Sequence, residues 1–250
     1  LANPLDEAIT AIKTPDISGV SKVDEVPYDF VRKRLSIVVQ EADGARRLIT
    51  KGALDNVLAV CATVRDGDAA VPLDDAHRAE VQRRFAEWGD QGFRVLGVAD
   101  RPAPVGRATR DDERDMTFSG FLLFFDPPKP DVEAAIANLA RLGVRLKIIT
   151  GDNRRVAEHV AHMVSLPVAG IVTGADLNAM RDEALWHAVD HADLFVEVDP
   201  NQKERIIRAL QKTGHVVGYM GDGINDAPAL HDADVGISVD TAVDVAREAA

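Results

Sequence analysis

The sequence predicts an α/β chain in two parts: an antiparallel α+β region over residues 1–118 and a mainly parallel, crossover-built sheet over residues 119–250. Three observations predict it. From Phe121 to Val239 short apolar runs alternate with stretches of helical periodicity, the rhythm of βαβ units, which place ligands at the carboxyl ends of their strands. Residues 35–50 instead read as two strands around a glycine. Between the two regions, Arg101–Asp115 is rich in proline, glycine and charge, with little to bury.

Taken in order, Asn3–Lys13 suits a helix tail and Thr14–Ser21 a turn. Leu35–Val39 and Arg47–Thr50 form a hairpin-like pair about Gly44. Val81, Phe85 and Trp88 recur at helical spacing within a helix expected over Asp75–Gly89, and Phe93–Ala99 reads as the next strand. Arg101–Asp115 is expected at the surface. The second region opens with strand Phe121–Phe125, then helix Asp131–Leu142, strand Val144–Ile149 and helix Arg154–Val164. Strand Val168–Val172, helix Asp176–Val189, strand Leu194–Val198 and helix Asn201–Thr213 continue the alternation. Strand His215–Met220, a short helix over Asp226–His231 and strand Val235–Val239 complete it.

The composition, 46% hydrophobic and 28% charged over 250 residues, belongs to a globular chain with room for two domains. Lysine and arginine number 29 against 41 aspartates and glutamates, a net charge of -12 that argues against a nucleic-acid backbone or an anionic bilayer as partner. Polyphosphate chelated by Mg²⁺ remains compatible. The apolar run Phe121–Phe125 falls far short of the roughly 20 residues a spanning helix needs, so the segment is not expected to insert in a membrane. The single cysteine, Cys61, forbids an internal disulfide and reads as a small core hydrophobe. No signal-peptide pattern stands at Leu1, and the chain reads as part of something longer.

Chemistry concentrates at three expected strand ends. An apolar strand ends at Met220, Gly221 and Gly223 let the backbone turn closely, and Asp222, Asn225 and Asp226 follow. A carboxylate there suits Mg²⁺, a hard ion that takes one or two carboxylates beside waters and phosphate. The competing reading is a turn capping the next helix, since Asp226 precedes Ala227 and Pro228. Ile148-Ile-Thr-Gly-Asp-Asn153 repeats the pattern, offering a hydroxyl and backbone N–H groups as a phosphate cradle or Thr150 or Asn153 as an ordinary cap. Lys203, just inside a helix after Pro200, suits a fixed positive charge for a transferring phosphoryl group, or a solvated lysine. In the first region Lys51-Gly-Ala53 follows a strand, Arg94 lies in one, and Tyr28 and Phe30 offer rings for stacking on a base or for the core.

Together Lys51-Gly-Ala, Asp126-Pro-Pro, Thr150-Gly-Asp and Gly221-Asp-Gly-Ile-Asn-Asp-Ala-Pro228 resemble the cytoplasmic half of P-type ATPases. Gly236–Ala250, Asp126-Pro-Pro-Lys and Phe30–Ser36 look like the magnesium-importing subgroup. The resemblance implies a haloacid-dehalogenase-like Rossmannoid parallel sheet, the later part of a phosphorylation domain (119–250), beside an α+β antiparallel nucleotide-binding domain (1–118) that lacks its start. It implies ATP and Mg²⁺ as cofactors. By position, Tyr28 matches the ring that packs on adenine, Lys51 the lysine of the nucleotide pocket and Arg94 the arginine reaching the ATP phosphates. Asp126 matches the hinge aspartate; Thr150, Gly151 and Asp152 belong to the phosphate surround. Lys203 matches the lysine that stabilises the phosphoryl group, Asp222 the Mg²⁺ ligand, and Asn225 with Asp226 its support.

Two positions depart from the pattern. Glu197 stands where relatives commonly have an arginine near the ribose, and a carboxylate cannot make that contact. The family's nucleophile lies in an aspartate-lysine-threonine-glycine-threonine motif that is absent here; Pro127 and Pro128 exclude Asp126 as its substitute, so the motif is expected upstream of Leu1. The resemblance thus implies a piece of an ATP-driven magnesium pump, inactive alone, whose parent is an integral inner-membrane protein with transmembrane and actuator domains. The alternatives are a stand-alone haloacid-dehalogenase-like phosphatase with a cap domain, and a non-catalytic nucleotide-binding module.

Overall fold

The computed structural model describes residues 9, 16–29, 31–103 and 105–250. Phe30 and, apart from Ile9, the helix expected over Asn3–Lys13 lie outside the described residues, as do Thr14 and Pro15 of the turn. The chain divides into two compact units, Leu1–Trp88 with Phe93–Asp126, and Gly89–Gly92 with Pro127–Ala250.

The first unit is built on a seven-stranded sheet. Its strands are β1 (Ser21–Asp29), β2 (Arg34–Gln40), β3 (Arg46–Ala53), β4 (Cys61–Asp66), β5 (Ala69–Pro72), β6 (Arg94–Pro102) and β7 (Met116–Phe124), with a one-and-a-half-turn helix α1 (Leu54–Leu58) and the long helix α2 (Asp75–Asp90). The order is β1-β2-β3-β6-β7-β4-β5, antiparallel throughout except where β4 lies parallel to β7. The expected hairpin is β2–β3, and Asp74 caps α2 by accepting the His77 N–H at 3.0 Å. One face of the sheet packs on α1 and α2 through Val38, Leu48, Leu54, Val57, Val81, Ala99, Met116 and Phe118, with Trp88 edge-on to Phe121 at 5.0 Å.

Two expectations need correction in this unit. Phe121–Phe125 does not open the parallel sheet; its residues to Phe124 belong to β7, which runs across the expected 118/119 division and pairs antiparallel with β6. The reason is its neighbours: Val95, Leu96 and Gly97 offer a matching apolar edge in register with Leu123, Leu122 and Phe121. Arg101–Asp115 is not simply a surface segment, because Arg101 and Pro102 extend β6 and Ala108 and Glu113 are buried. Strands β1, β4 and β5 answer to no expected strand.

The second unit is a three-layer α/β arrangement. Its elements are α3 (Val132–Arg141), β8 (Ile148–Ile149), α4 (Arg154–Met163), β9 (Ile171–Thr173), α5 (Gly174–Ala179), α6 (Asp182–His191), β10 (Leu194–Val196), α7 (Pro200–Lys212), β11 (Gly218–Met220), α8 (Ala227–Asp232), β12 (Val235–Ile237) and α9 (Asp244–Ala249). All pairings are parallel, in two sheets ordered β8-β10-β9 and β11-β12. Strand β10 is covered on both faces. Leu194 and Val196 meet Ala157, Ala161 and Val164 of the α4 side, whereas Phe195 joins Leu185, Val189, Ile206, Val217, Tyr219 and Leu230. That second cluster takes residues from both sheets, so one core underlies them, and each fully buried large side chain contributes roughly 1.5–3 kcal/mol.

The expected helix over Asp176–Val189 is two helices. Met180 and Arg181 between them are extended, and Arg205 satisfies the freed carbonyls, donating to Leu177 O at 2.6 Å and Met180 O at 2.9 Å. Strand β8 is shorter than Val144–Ile149 because it is an edge that pairs only with β10.

Candidate functional site

The carboxyl ends of β8, β10 and β11 carry the second unit's predicted residues. After β8, Thr150 donates its N–H to Phe195 O at 2.9 Å and its carbonyl accepts from Val198 N at 3.2 Å, so the turn stays zipped to the extension of β10. The Thr150 hydroxyl accepts the Asp152 N–H at 3.1 Å and donates to Asp152 Oδ2 at 3.2 Å. Asn153 is the cap of α4, accepting the Val156 N–H at 3.1 Å, which decides between the two capping candidates. The positive end of α4 therefore opens beside this turn.

After β11 the chain turns sharply around a carboxylate. Asp226 is buried, and its Oδ1 accepts from Lys203 Nζ at 2.6 Å and from the Tyr219 hydroxyl at 2.7 Å; Oδ2 accepts the Gly223 N–H at 3.1 Å. Gly221 makes this possible, since a Cβ there would lie 2.5 Å from Asp226 Cβ. Burial alone would raise the Asp226 pKa, but the hydrogen bonds from Lys203 and Tyr219 and the Lys203 charge outweigh it and hold the carboxyl below the usual carboxylate range. The Tyr219 phenol is pushed up, first by burial and then by Asp226. Although Asp226 occupies the position before α8, its carboxylate makes no capping bond to that helix; it turns inward to Lys203 instead. Tyr219 was not among the predicted site residues, because a tyrosine inside a strand reads as core.

Lys203 is fixed from the opposite side. Asp199 caps α7 by accepting the Gln202 N–H at 2.9 Å, and the Gln202 side chain returns to accept the Asp199 N–H at 2.9 Å. The Lys203 side chain is 13% exposed and so is not a solvated surface lysine. Asp222 and Asn225 are exposed at the head of the turn, and the Asp222 carbonyl accepts from Val243 N at 3.1 Å.

Among the described residues no group of three His, Cys, Asp or Glu side chains is poised to hold a metal. The side-chain ligands offered at these strand ends are oxygens, with Asp222 exposed after β11 and Glu197 exposed after β10, and so sparse a set fits Mg²⁺ carried on a phosphate rather than a protein cage. A recess of about 500 Å³ lies elsewhere, between α6 and α7, lined by Asp182, Trp186, Arg205, Arg208 and Lys212. Arg205 and Arg208 are already bonded within the fold and Lys212 lies over the Trp186 ring, so the strand ends are the better site.

In the first unit, Lys51 is in register with Leu35 on β2 and Val98 on β6. Side chains alternate along a strand, so Lys51, Leu96, Val98 and Arg94 share the sheet face opposite the buried Leu48, Thr50, Val95 and Ala99. This face joins two cationic residues to an apolar strip. Gly52 is required by a close approach, for a Cβ there would meet Arg34 Cβ at 2.6 Å and Arg34 Cα at 2.7 Å. Tyr28 is 49% exposed on β1, and Asp126 is exposed at the end of the unit. Sequence reasoning also missed a buried cluster in which Glu113 pairs with Arg32 at 2.5 Å and Arg34 at 2.8 Å and accepts from Ser36 Oγ at 2.7 Å. Its members stand 77 to 81 positions from Glu113 in sequence, and no local pattern marks them.

These sites and sheets define a class. Residues 14–131 match the family described as P-type ATPase, cytoplasmic domain N. The chain belongs to the P-type ATPases and holds cytoplasmic domains of that family, with a haloacid-dehalogenase-like α/β fold beside an α+β region. More particularly, it is 46% identical over 257 aligned residues to a magnesium-transporting ATPase, P-type 1, of Salmonella typhimurium, covering 100% of this chain and 28% of that protein. The protein of the same name from Escherichia coli K12 is 46% identical over 231 residues, covering 92% of this chain and 26% of its own length. A calcium-transporting ATPase of Bacillus subtilis is 36% identical, covering 93% of this chain and 27% of its own. The chain thus spans between a quarter and a third of these relatives. No described helix is long and apolar enough to cross a membrane.

Proposed function

We propose that this chain supplies the nucleotide-binding and phosphoryl-handling parts of an ATP-driven, magnesium-transporting P-type ATPase. The observation that carries the reading is the buried Lys203–Asp226 pair at the carboxyl end of a parallel sheet, in a chain 46% identical throughout to magnesium-transporting ATPases. The first unit is the nucleotide-binding domain. Lys51 and Arg94 offer charge to the phosphates, and Tyr28 with the apolar strip offers surface to the base. Asp126 ends this unit as the hinge residue.

The second unit is the later part of the phosphorylation domain. Thr150, Gly151 and Asp152 form the turn that receives phosphoryl oxygens, and Lys203 offsets their negative charge. Asp222 would hold Mg²⁺, with Asn225 and Asp226 shaping the turn that presents it. When bound, Mg²⁺ neutralises charge that develops on the transferring group. The acceptor aspartate lies in chain outside these residues, and the parent's transmembrane and actuator domains are the partners, with this segment on the cytoplasmic face of the inner membrane.

Calorimetric titration with MgATP tests the nucleotide site. Binding by the wild-type chain, weakened about tenfold or more in Lys51→Ala, is expected, since a charge-assisted contact contributes roughly 1.5–3 kcal/mol. No heat at millimolar MgATP would refute the pocket. A hydroxylamine-sensitive aspartyl phosphate on the 250-residue chain would refute the placement of the acceptor.

A further inference from the structure

Glu197 has a backbone conformation that only glycine adopts freely, with φ +59°, at the carboxyl end of β10. Its surroundings determine that conformation from three sides. The Glu197 N–H donates to the Asp152 carbonyl at 2.9 Å. Its carboxylate Oε1 accepts the Arg154 N–H at 3.2 Å. Its carbonyl lies where a Cβ on residue 174 would come within 2.5 Å, a contact that Gly174 avoids. As the first residue of α4, Arg154 has no carbonyl within its own helix to receive its N–H, and the side chain of Asn153 is committed to Val156.

We propose that Glu197 is a positioning residue for the Thr150-Gly-Asp152 turn, a clamp that grips the turn on its last carbonyl and on the first amide of the helix that follows it. The strained backbone is retained because it aims both groups at once. A residue selected only for stability at this φ is glycine or asparagine. The role of the turn in receiving phosphoryl oxygens rests on the function proposed above; the clamp itself does not.

The test uses three chains: wild type, Glu197→Gln, which keeps an oxygen acceptor and the same backbone strain, and Glu197→Gly, which removes the acceptor and relieves the strain. Site-resolved amide exchange is followed together with thermal melting. In Glu197→Gly the Arg154 amide is expected to exchange about fivefold faster, the size set by losing one capping bond. Amide resonances of Gly151–Arg154 should shift, while the melting temperature is unchanged or higher. Glu197→Gln should match wild type within twofold in exchange. Undisturbed 151–154 amides in Glu197→Gly, or equal disturbance in both variants, would overturn the clamp. MgATP is then added to each chain: weaker shifts at Thr150–Asp152 in Glu197→Gly alone support positioning, and equal shifts in all three overturn it. Absence of MgATP shifts in wild type refutes the phosphate role of the turn and with it positioning for that reaction, leaving the clamp decided by exchange.

Discussion

Replacing Lys203 by methionine isolates the contribution of the buried pair. The two side chains are 13% and 12% exposed and 2.6 Å apart, so the substitution strands a carboxylate that water reaches poorly. Removing one partner of a buried pair typically costs 3–5 kcal/mol. Tyr219 and Gly223 still donate to Asp226, which places the loss near the low end, about 3 kcal/mol. At roughly 2–4 °C per kcal/mol, the second unit should melt about 6–12 °C lower at neutral pH. The pH dependence carries a sign. The Asp226 pKa is depressed in the folded wild type, so its contribution is fully present above the unfolded value of about 3.9 and is lost as pH falls through the folded value. Without Lys203 the burial that already opposes the charge gains ground and the carboxyl takes up a proton at higher pH. The deficit of Lys203→Met should therefore shrink as pH falls from 7 towards 4. Asp226→Asn added to Lys203→Met removes the stranded charge and should recover more than half of the loss. Calorimetric and urea unfolding of the three variants across this range checks the argument. A Lys203→Met melt within 1–2 °C of wild type at neutral pH, or a double variant no better than the single, would refute the buried-pair reasoning.

Other substitutions test the first unit. Gly52→Ala forces a Cβ against the Arg34 backbone and should destabilise the seven-stranded unit by about 1–3 kcal/mol, visible as an earlier first transition in thermal unfolding. Glu113→Gln should cost about 3 kcal/mol by leaving Arg32 and Arg34 partly unpaired. Burial works to raise the Glu113 pKa, but the bonds from Arg32, Ser36 and Arg34 lower it on balance, so its stabilisation is present above the unfolded value of about 4.3 and lost as pH falls. The variant should consequently show a flatter acid limb in urea midpoints. Burial pushes the Cys61 thiol up to about 12, so it should react with an aromatic disulfide reagent in the folded chain only at the rate at which the first unit opens, and rapidly in 6 M urea, read by absorbance.

The second unit was more legible than the first for a physical reason. Strand β10 is buried on both faces and β8 and β11 end in glycine turns, so Leu194–Val196 and Ile148–Ile149 stand out as apolar runs and Gly221 and Gly223 punctuate the chain. In the first unit β1 exposes most of its residues and β4 half of its own, and neither shows an apolar alternation to read. The sequence alone places Phe121–Phe124 in the wrong sheet because a run of Phe and Leu is equally apolar whether its neighbours are parallel or antiparallel; only the pairing with Val95–Val98 decides that. At the site, Lys203 and Asp226 are identifiable by residue type and position, but their pairing is not, since they stand 23 positions apart with the rest of α7 and strand β11 between them. Tyr219 was hidden by its apolar strand, and Glu113 by a charge-rich segment that looked like surface.

The strand ends are held in common by one helix. Two parallel sheets share a core without sharing a strand pair, so hydrogen bonding within the sheets cannot fix the distance between the turn after β8 and the turn after β11. Helix α7 supplies the missing constraint through residues on neighbouring turns. Gln202 donates to Gly174 O at 2.8 Å and Asn178 Oδ1 at 2.9 Å, tying α7 to the end of β9 and to α5. Lys203 ties it to the β11 turn through Asp226, Arg205 to the carbonyls that end α5, and Arg208 to Asp232 at the end of α8. The cap at Asp199 fixes the same helix to the extension of β10, to which Thr150 is already bonded. A shift of α7 thus moves the Lys203 ammonium relative to the Thr150 hydroxyl. This is why the packing of an amphipathic helix, rather than the strand pairing, sets where Lys203 stands relative to the turn after β8.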